Sequence, residues 1–386
     1  MSARLLNHDE IHSSSLFLCV RTRRLLRTLA LTALCVALTT ETAFAQYVQI
    51  DPRSGLPRRW EAGMAVSPFS TVNLYNGNLT TVIPITGFAP VGPPVHFELY
   101  HNSTAAMSGE SVQASLGFTF GPGWSCTYAG RLTFTDSQSN PTAITLIEDD
   151  GNQYSFTTLV NGEWKGEAGV HERIVQSGSE WVMTRPNGWQ RIYDANGYLI
   201  RERDSTRNAT YKNEVHILRD GNGRVTEVRS AAKTNYPQLI GEHRLFFEFE
   251  TDGTLKRIYW PAAIGDTTYW WTFTHVSGRL TAIAFPYHTI DTQCLPAGSI
   301  QIAYQAGTTN LIETITDTDT KVYTYGYAGD TLSWVDDPGP TNPGPKYRQS
   351  FNCGVLVGSN IQTIYTDRRG KNWKFLHSSA GNFSYM

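Results

Sequence analysis

The stretch that decides the fold is Arg191-Ile-Tyr-Asp-Ala-Asn-Gly-Tyr-Leu-Ile-Arg201. Aromatic and β-branched residues run into Asp194-Ala-Asn-Gly197, and a leucine with a basic flank follows at once. Asn-Gly supplies the positive φ that a tight hairpin turn needs, so the stretch reads as two antiparallel strands. The same grammar returns in Phe247-Glu-Phe-Glu-Thr-Asp-Gly-Thr-Leu-Lys-Arg-Ile258, in Trp271-Thr-Phe-Thr-His-Val-Ser-Gly-Arg-Leu-Thr-Ala-Ile283 and in Thr324-Tyr-Gly-Tyr-Ala-Gly-Asp-Thr-Leu-Ser-Trp334. Gly197, Gly223, Gly253 and Gly278 follow one another at intervals of 26, 30 and 25 residues, a period typical of repeat architectures. The second half of the chain is therefore a degenerate tandem array of hairpins.

Outward from that array, short alternating or β-branched runs bounded by Gly, Asn or Asp recur, and almost no window sustains helical spacing. Strands are predicted at Thr80–Pro84, Val95–Tyr100, Arg131–Thr135, Gln153–Thr158, Leu245–Glu250, Thr268–Thr274 and Lys321–Tyr327. Of the 386 residues 40% are hydrophobic, 12% aromatic and only 17% charged, which is enough apolar surface to bury a core. With a net charge of -2 and scattered lysines and arginines, the mature chain carries no electrostatic footprint for nucleic acid.

The units resemble the YD repeat, with Tyr193-Asp194 as the best copy. Residues 71–151 resemble the N-terminal segment of RHS-type proteins, with Val72-Asn-Leu-Tyr-Asn-Gly-Asn-Leu79, Tyr100-His-Asn-Ser103, Phe120-Gly-Pro-Gly-Trp-Ser125 and Asp149-Asp-Gly151 in family order. Asp204-Ser-Thr-Arg-Asn208 has Arg207 where the family often has glycine. The resemblance implies a long antiparallel sheet that spirals into a shell, which in many bacterial members encloses a C-terminal toxin or displays a surface domain. Here about half a dozen units are present, no effector follows, and Asp337-Pro-Gly339 matches a self-cleavage junction only loosely. The expectation is an all-β, YD-repeat-like spiral or open curved shell, as a short member or a fragment.

Residues 1–45 read as a signal peptide: Arg21, Arg23, Arg24 and Arg27 precede the apolar run Leu29–Leu38, and Ala43-Phe-Ala45 suits cleavage after Ala45. Leu34 before Cys35 and Leu18 before Cys19 exclude a lipid-anchor site, and no later apolar run reaches the roughly 20 residues that span a bilayer. The remainder divides into an N-terminal RHS-type β region, 46–190, and the repeat array, 191–386. Cys126, Cys294 and Cys353 remain in the mature chain, without metal-ligand spacing, and read as structural.

Sites of chemistry are sparse. Gly123-Trp-Ser-Cys-Thr127 ends in threonine where a nucleophile elbow at Ser125 wants glycine. His171-Glu172 lacks the second histidine of a zinc helix and reads as a solvated strand end, and His96 with His101 reads as structural. Glu148, Asp149 and Asp150 precede Gly151-Asn152 and read as turn chemistry, while Asp317 and Asp319 are placed on one strand face without a calcium loop around them. Among ten tryptophans, Trp260, Trp270 and Trp271 cluster near a turn and are the candidates for stacking on a glycan if exposed, although burial between sheets is the default.

The expected function is that of a secreted, periplasmic or cell-surface scaffold, a wall or stalk without catalysis, cofactor or metal. Its partners are then cell-surface glycans or a C-terminal effector absent from this chain. A carbohydrate-binding or adhesive protein is the alternative. A hydrolase is the third class, to be recognised by a pocket converging two carboxylates or a Ser-His pair.

Overall fold

The computed structural model describes residues 63–88, 93–108, 120–167, 169–205, 213–230, 244–260, 269–286, 288–290, 293–295, 298–307, 310–338, 347–378 and 383–384. The segment read as a signal peptide, with Cys19 and Cys35, residues 206–208 of the stretch read as the Asp204 turn, and most of the Pro/Gly-rich stretch after Asp337 lie outside the described residues. The described structure is almost entirely antiparallel β, built from consecutive hairpins as the alternating sequence predicts. No helix among the described residues is long and apolar enough to cross a membrane.

Two sheets share one hydrophobic core. The first is a meander of Gly63–Ala65, Ser70–Asn73, Leu79–Phe88, Val95–Asn102 and Trp124–Cys126. The second is a ladder that begins at Arg131–Thr135 and adds each following strand beside the last, as far as Asn372–Ser378 and Phe383–Ser384. The boundary between the sheets thus falls between Cys126 and Arg131, inside the segment read as the N-terminal RHS-type region. A small pair, His288–Ile290 with Gln293–Leu295, interrupts the chain but not the ladder, since Arg279–Ala284 pairs directly with Ser299–Tyr304. The ladder is not closed into a barrel; its first and last strands share no register among the described residues. It curls back only locally, where Arg131 bridges Tyr198 and the Leu132 N–H donates to the Gly197 carbonyl at 2.9 Å.

The repeat grammar becomes a repeated geometry. Six hairpins carry a bulge just before the turn, at Ile192/Tyr193, Leu218/Arg219, Glu248/Phe249, Thr274/His275, Ala303/Tyr304 and Gly326/Tyr327. Each bulge sets two residues against one and adds local twist, which curls a ladder of hairpins. Behind each turn the grammar's aliphatic residue, Leu199, Val225, Leu255, Leu280, Ile312 or Leu332, is fully buried. The acidic residue of the repeat ties the turn itself: Asp194 Oδ1 accepts from the Asn196 and Tyr198 amides at 2.9 and 2.8 Å, and Asp220, Asp317 and Asp367 do the same in theirs. Asp317 and Asp319 therefore sit on a turn between Ile312–Thr316 and Val322–Ala328, not on a strand face; the side-chain cap of Asp317 ends the strand first.

The N-terminal sheet covers the inner face of the ladder. Phe97 meets Phe247 edge-on at 5.4 Å, Phe120 meets Phe273 at 5.8 Å and Phe69 meets Tyr323 at 5.8 Å. Backbone bonds fix the register of the two sheets: the Leu280 N–H donates to Phe120 O at 3.0 Å and the Leu332 N–H to Gly77 O at 2.8 Å. Polar ends are satisfied across the same seam, as when the Tyr325 hydroxyl meets Ser67 and Ser70 Oγ at 3.0 Å each. At about 1.5–3 kcal/mol per buried large apolar side chain, this shared cluster is the main source of stability.

Candidate functional site

Within each bulged hairpin the cross-strand pair one step back from the bulge faces the core. It is Ile217↔Val228, Phe247↔Ile258, Phe273↔Ile283, Ile302↔Ile315 and Tyr325↔Val335, all buried. In the hairpin of Gln190–Tyr193 and Leu199–Arg203 the same register position holds Arg191↔Glu202, each only 8% exposed. A buried ion pair thus replaces the apolar pair of the other five hairpins.

Arg191 is held on three sides. Its Nε donates to Glu202 at 2.7 Å, its Nη1 to Glu148 at 2.9 Å and its Nη2 to Asp149 at 2.5 Å. Arg185 adds a longer contact to Glu148 at 3.3 Å. Desolvation opposes the Arg191 charge, but Asp149, Glu202 and Glu148 outweigh it and raise its pKa well above the usual value. The turn expected at Glu148–Asn152 is present, since the Gly151 N–H donates to Glu148 O at 2.9 Å and the Asn152 N–H to Asp150 Oδ1 at 3.0 Å. What sequence reasoning missed is that Glu148 and Asp149 turn inward onto Arg191. Aligning Arg191 and Glu202 with Phe247 and Ile258 gives the missing signal.

This network forms one wall of a half-open cleft of about 470 Å³ between the two sheets. The N-terminal sheet contributes Thr80, His96 and Tyr100 to it; Trp189 and Tyr154 line the ladder side. Asp150 lines the cleft without an ion pair among the described residues, bonded instead by the Asn152 amides. Burial, aided by the neighbouring Glu148 and Asp149 charges and resisted by Asn152, pushes its carboxyl up to about 7. Carboxylates do converge here, but Glu148, Asp149 and Glu202 are tied to guanidinium groups and Asp150 to the Asn152 amides.

The other sequence candidates are dispersed. Ser125 donates to the Asp149 carbonyl at 2.5 Å, a structural bond rather than a link to a base. His101 is fully buried against Trp124 and Asn310 O, and burial pulls its pKa down to about 4. His96 lies an odd number of residues away on the same strand, hence on its opposite face, and the two cannot converge. His171 is exposed before Arg173–Ser177, while the adjacent Glu172 lines the cleft. Among the described residues no cluster of His, Cys, Asp and Glu is arranged to hold a metal ion. Cys126 is buried and Cys353 half-buried, both as free thiols; the Cys294 side chain lies outside the described residues.

The three tryptophans separate by strand alternation. Trp271 points into the core at 5% exposure and is closed to a ligand, Trp260 is half-buried against the core, and Trp270 is 47% exposed. Trp270 stands in register with Tyr259 and Phe246 across three neighbouring strands. Phe246 and Tyr259 stack on each other at 5.3 Å, and the Arg257 guanidinium lies 4.7 Å over the Trp270 ring. One ring face of Trp270 is therefore already occupied by a cation.

No protein-family model and no curated protein sequence matches the chain. Among solved structures, the TcdB2-TccC3-Cdc42 complex is similar at 12% identity and a TM-score of 0.25, over 83% of this chain and 21% of that one. TcdB2-TccC3 is similar at 11% and 0.22, over 83% and 24%. A porin-like protein from Bacteroides uniformis is similar at 9% and 0.20, over 81% and 96%. The chain spans about a fifth to a quarter of the length of the first two, and at such TM-scores none of the three carries functional weight.

Proposed function

We propose that the chain is an exported structural scaffold without its own catalysis, a wall or stalk of the RHS/YD-repeat type that acts by shape. The supporting observation is the unbroken ladder whose inner face is sealed by the N-terminal sheet through one core. Such an arrangement presents a continuous outer surface and spends its apolar residues on holding two sheets together. Its partner is then a surface structure or an effector that the sheet supports. Expression of the full precursor in a bacterial host tests this: the exported protein begins at Gln46, and proteinase K leaves the region 63–378 in one protected piece under native conditions. Retention of an uncleaved precursor in the cytoplasm, or rapid separation into the two sheets, overturns the reading.

A second reading, adhesion to cell-surface glycans, is favoured by the exposed Trp270 beside Tyr259 and Phe246. It requires a sugar to use the ring face that Arg257 leaves open. Retention on immobilised polysaccharide that vanishes in Trp270→Ala at unchanged melting temperature supports it; retention that survives the change removes it.

A further inference from the structure

The Arg191↔Glu202 pair has no counterpart in the other bulged hairpins, and stability does not account for it. A buried ion pair is on average no more stabilising than a well-packed apolar pair of similar volume, and the equivalent positions are filled by Phe247 and Ile258 or Phe273 and Ile283. The exchange also coincides with the cleft. The lining there contains Glu148, Asp149, Asp150, Glu172 and Glu202 against Arg185 and Arg191, a net excess of negative charge inside a partly desolvated space. Three of those carboxylates are consumed by Arg191, and Asp150 has no cation among the described residues.

A second observation is independent of charge. Thr80, on the opposite wall, is 7% exposed, and its Oγ1 has no hydrogen-bond partner among the described residues. A buried hydroxyl without a partner is unfavourable, and a polar ligand atom that reaches Thr80 Oγ1 from the cleft would satisfy it. The Trp189, Tyr100 and Tyr154 rings complete a lining of polar anchor plus aromatic wall, the usual composition of a small-molecule site, and about 470 Å³ falls within the usual size.

We propose that this cleft binds a primary ammonium group, carried by an amino sugar or by a lysine side chain, with Asp150 as its counter-ion and the aromatic rings packed around its carbon skeleton. Glu148, Asp149 and Glu202 set the negative field, and Arg191 holds them in place as a positioning residue. An anionic ligand is repelled, and a neutral sugar lacks the charge that the site selects. Burial is the main cause of the raised Asp150 pKa, and the Glu148 and Asp149 charges that add to it also favour a small cation beside its carboxylate.

Calorimetric titration of the mature protein at neutral pH with N-α-acetyl-lysine amide, glucosamine and N-acetylglucosamine tests the proposal. At least one amine is expected to bind tenfold or more tightly than N-acetylglucosamine, and Asp150→Asn to weaken that binding about tenfold with near-ultraviolet circular dichroism unchanged. Preference for glucosamine assigns the ammonium to an amino sugar, preference for the lysine derivative assigns it to a protein side chain, and either supports the site. Trp189→Ala, at the wall and outside the ion network, provides a second variant expected to weaken the amine several-fold. Absence of amine binding, equal binding of N-acetylglucosamine, or full amine affinity in both variants overturns the proposal.

Discussion

The hairpin of Arg191–Glu202 and the hairpin of Phe247–Ile258 have the same bulge, the same glycine turn and the same buried leucine behind it, at Leu199 and Leu255. They differ in the inner pair, Arg191↔Glu202 in one and Phe247↔Ile258 in the other. They differ also in what the turn meets: a Cβ on Gly197 would lie 2.1 Å from Leu132 O, whereas nothing lies within 4 Å of one on Gly253. Backbone and turn chemistry are thus the repeating invariant, while the inner pair and the turn tip are free to differ. A repeat can therefore carry a polar site at one unit without altering its neighbours, because each hairpin's register is set by its own bulge and cap.

The largest effect expected from breaking this comparison is at Arg191. Arg191→Met leaves Glu148, Asp149 and Glu202 buried against one another and is expected to lower stability by about 3–5 kcal/mol in urea unfolding. The double change Arg191→Phe/Glu202→Ile, which installs the Phe247–Ile258 pair, is expected to cost clearly less than the sum of its single changes, because the two side chains touch. Full additivity would mean that the hairpins are not interchangeable.

The turns come next. Gly197 and Gly253 have φ of +84° and +86°, so alanine at either meets similar backbone strain, about 1 kcal/mol. Gly197→Ala adds the collision with Leu132 O and is expected to lose about 1–3 kcal/mol more by the same measure, together with the Arg131–Tyr198 bridge. Equal losses at the two glycines would show that the local closure at Arg131 contributes nothing.

A smaller, pH-dependent effect belongs to Asp150. Its folded pKa is raised above that of the unfolded chain, so the native state binds the extra proton and stability falls as pH rises from about 4 to about 7. Glu148 and Asp149 face it from its own turn, Glu172 and Arg185 from the neighbouring hairpins, and His96 and Tyr100 from the N-terminal sheet. Asp150→Asn is expected to remove that part of the slope, so that the difference between variant and wild type grows in favour of the variant across this window. A constant difference contradicts the assignment. The smallest effect is at Trp270: Trp270→Ala is expected to change stability by no more than about 0.5 kcal/mol, while Trp271→Ala, in the core, costs about 3–5 kcal/mol.

Much of this was legible in the sequence. Alternation and Gly turns placed strands at Val95–Tyr100, Gln153–Thr158 and Lys321–Tyr327, within one or two residues of the observed Val95–Asn102, Gln153–Val160 and Val322–Ala328, because period and turn chemistry are local properties. The parity that places Trp271 inside and Trp270 outside was legible too, since Trp271 shares its face with Phe273. The packing of the N-terminal sheet was not: contacts such as Ser67 with Tyr325 or Gln349 with Val66 join residues hundreds of positions apart, and no periodicity encodes them. Glu148 and Asp149 read as turn residues for the same reason, because Arg191 reaches them from a different hairpin.

The central claim, that N-terminal sheet and ladder form one sealed body, is tested most directly by native-state hydrogen exchange. The amides of Leu79–Phe88 and of Tyr269–Val276 are predicted to open with the same free energy, near that of global unfolding, with Leu280 and Leu332 protected through their bonds to Phe120 and Gly77. Exchange of Leu79–Phe88 orders of magnitude faster than Tyr269–Val276 would show two independently opening sheets and would contradict the sealed scaffold.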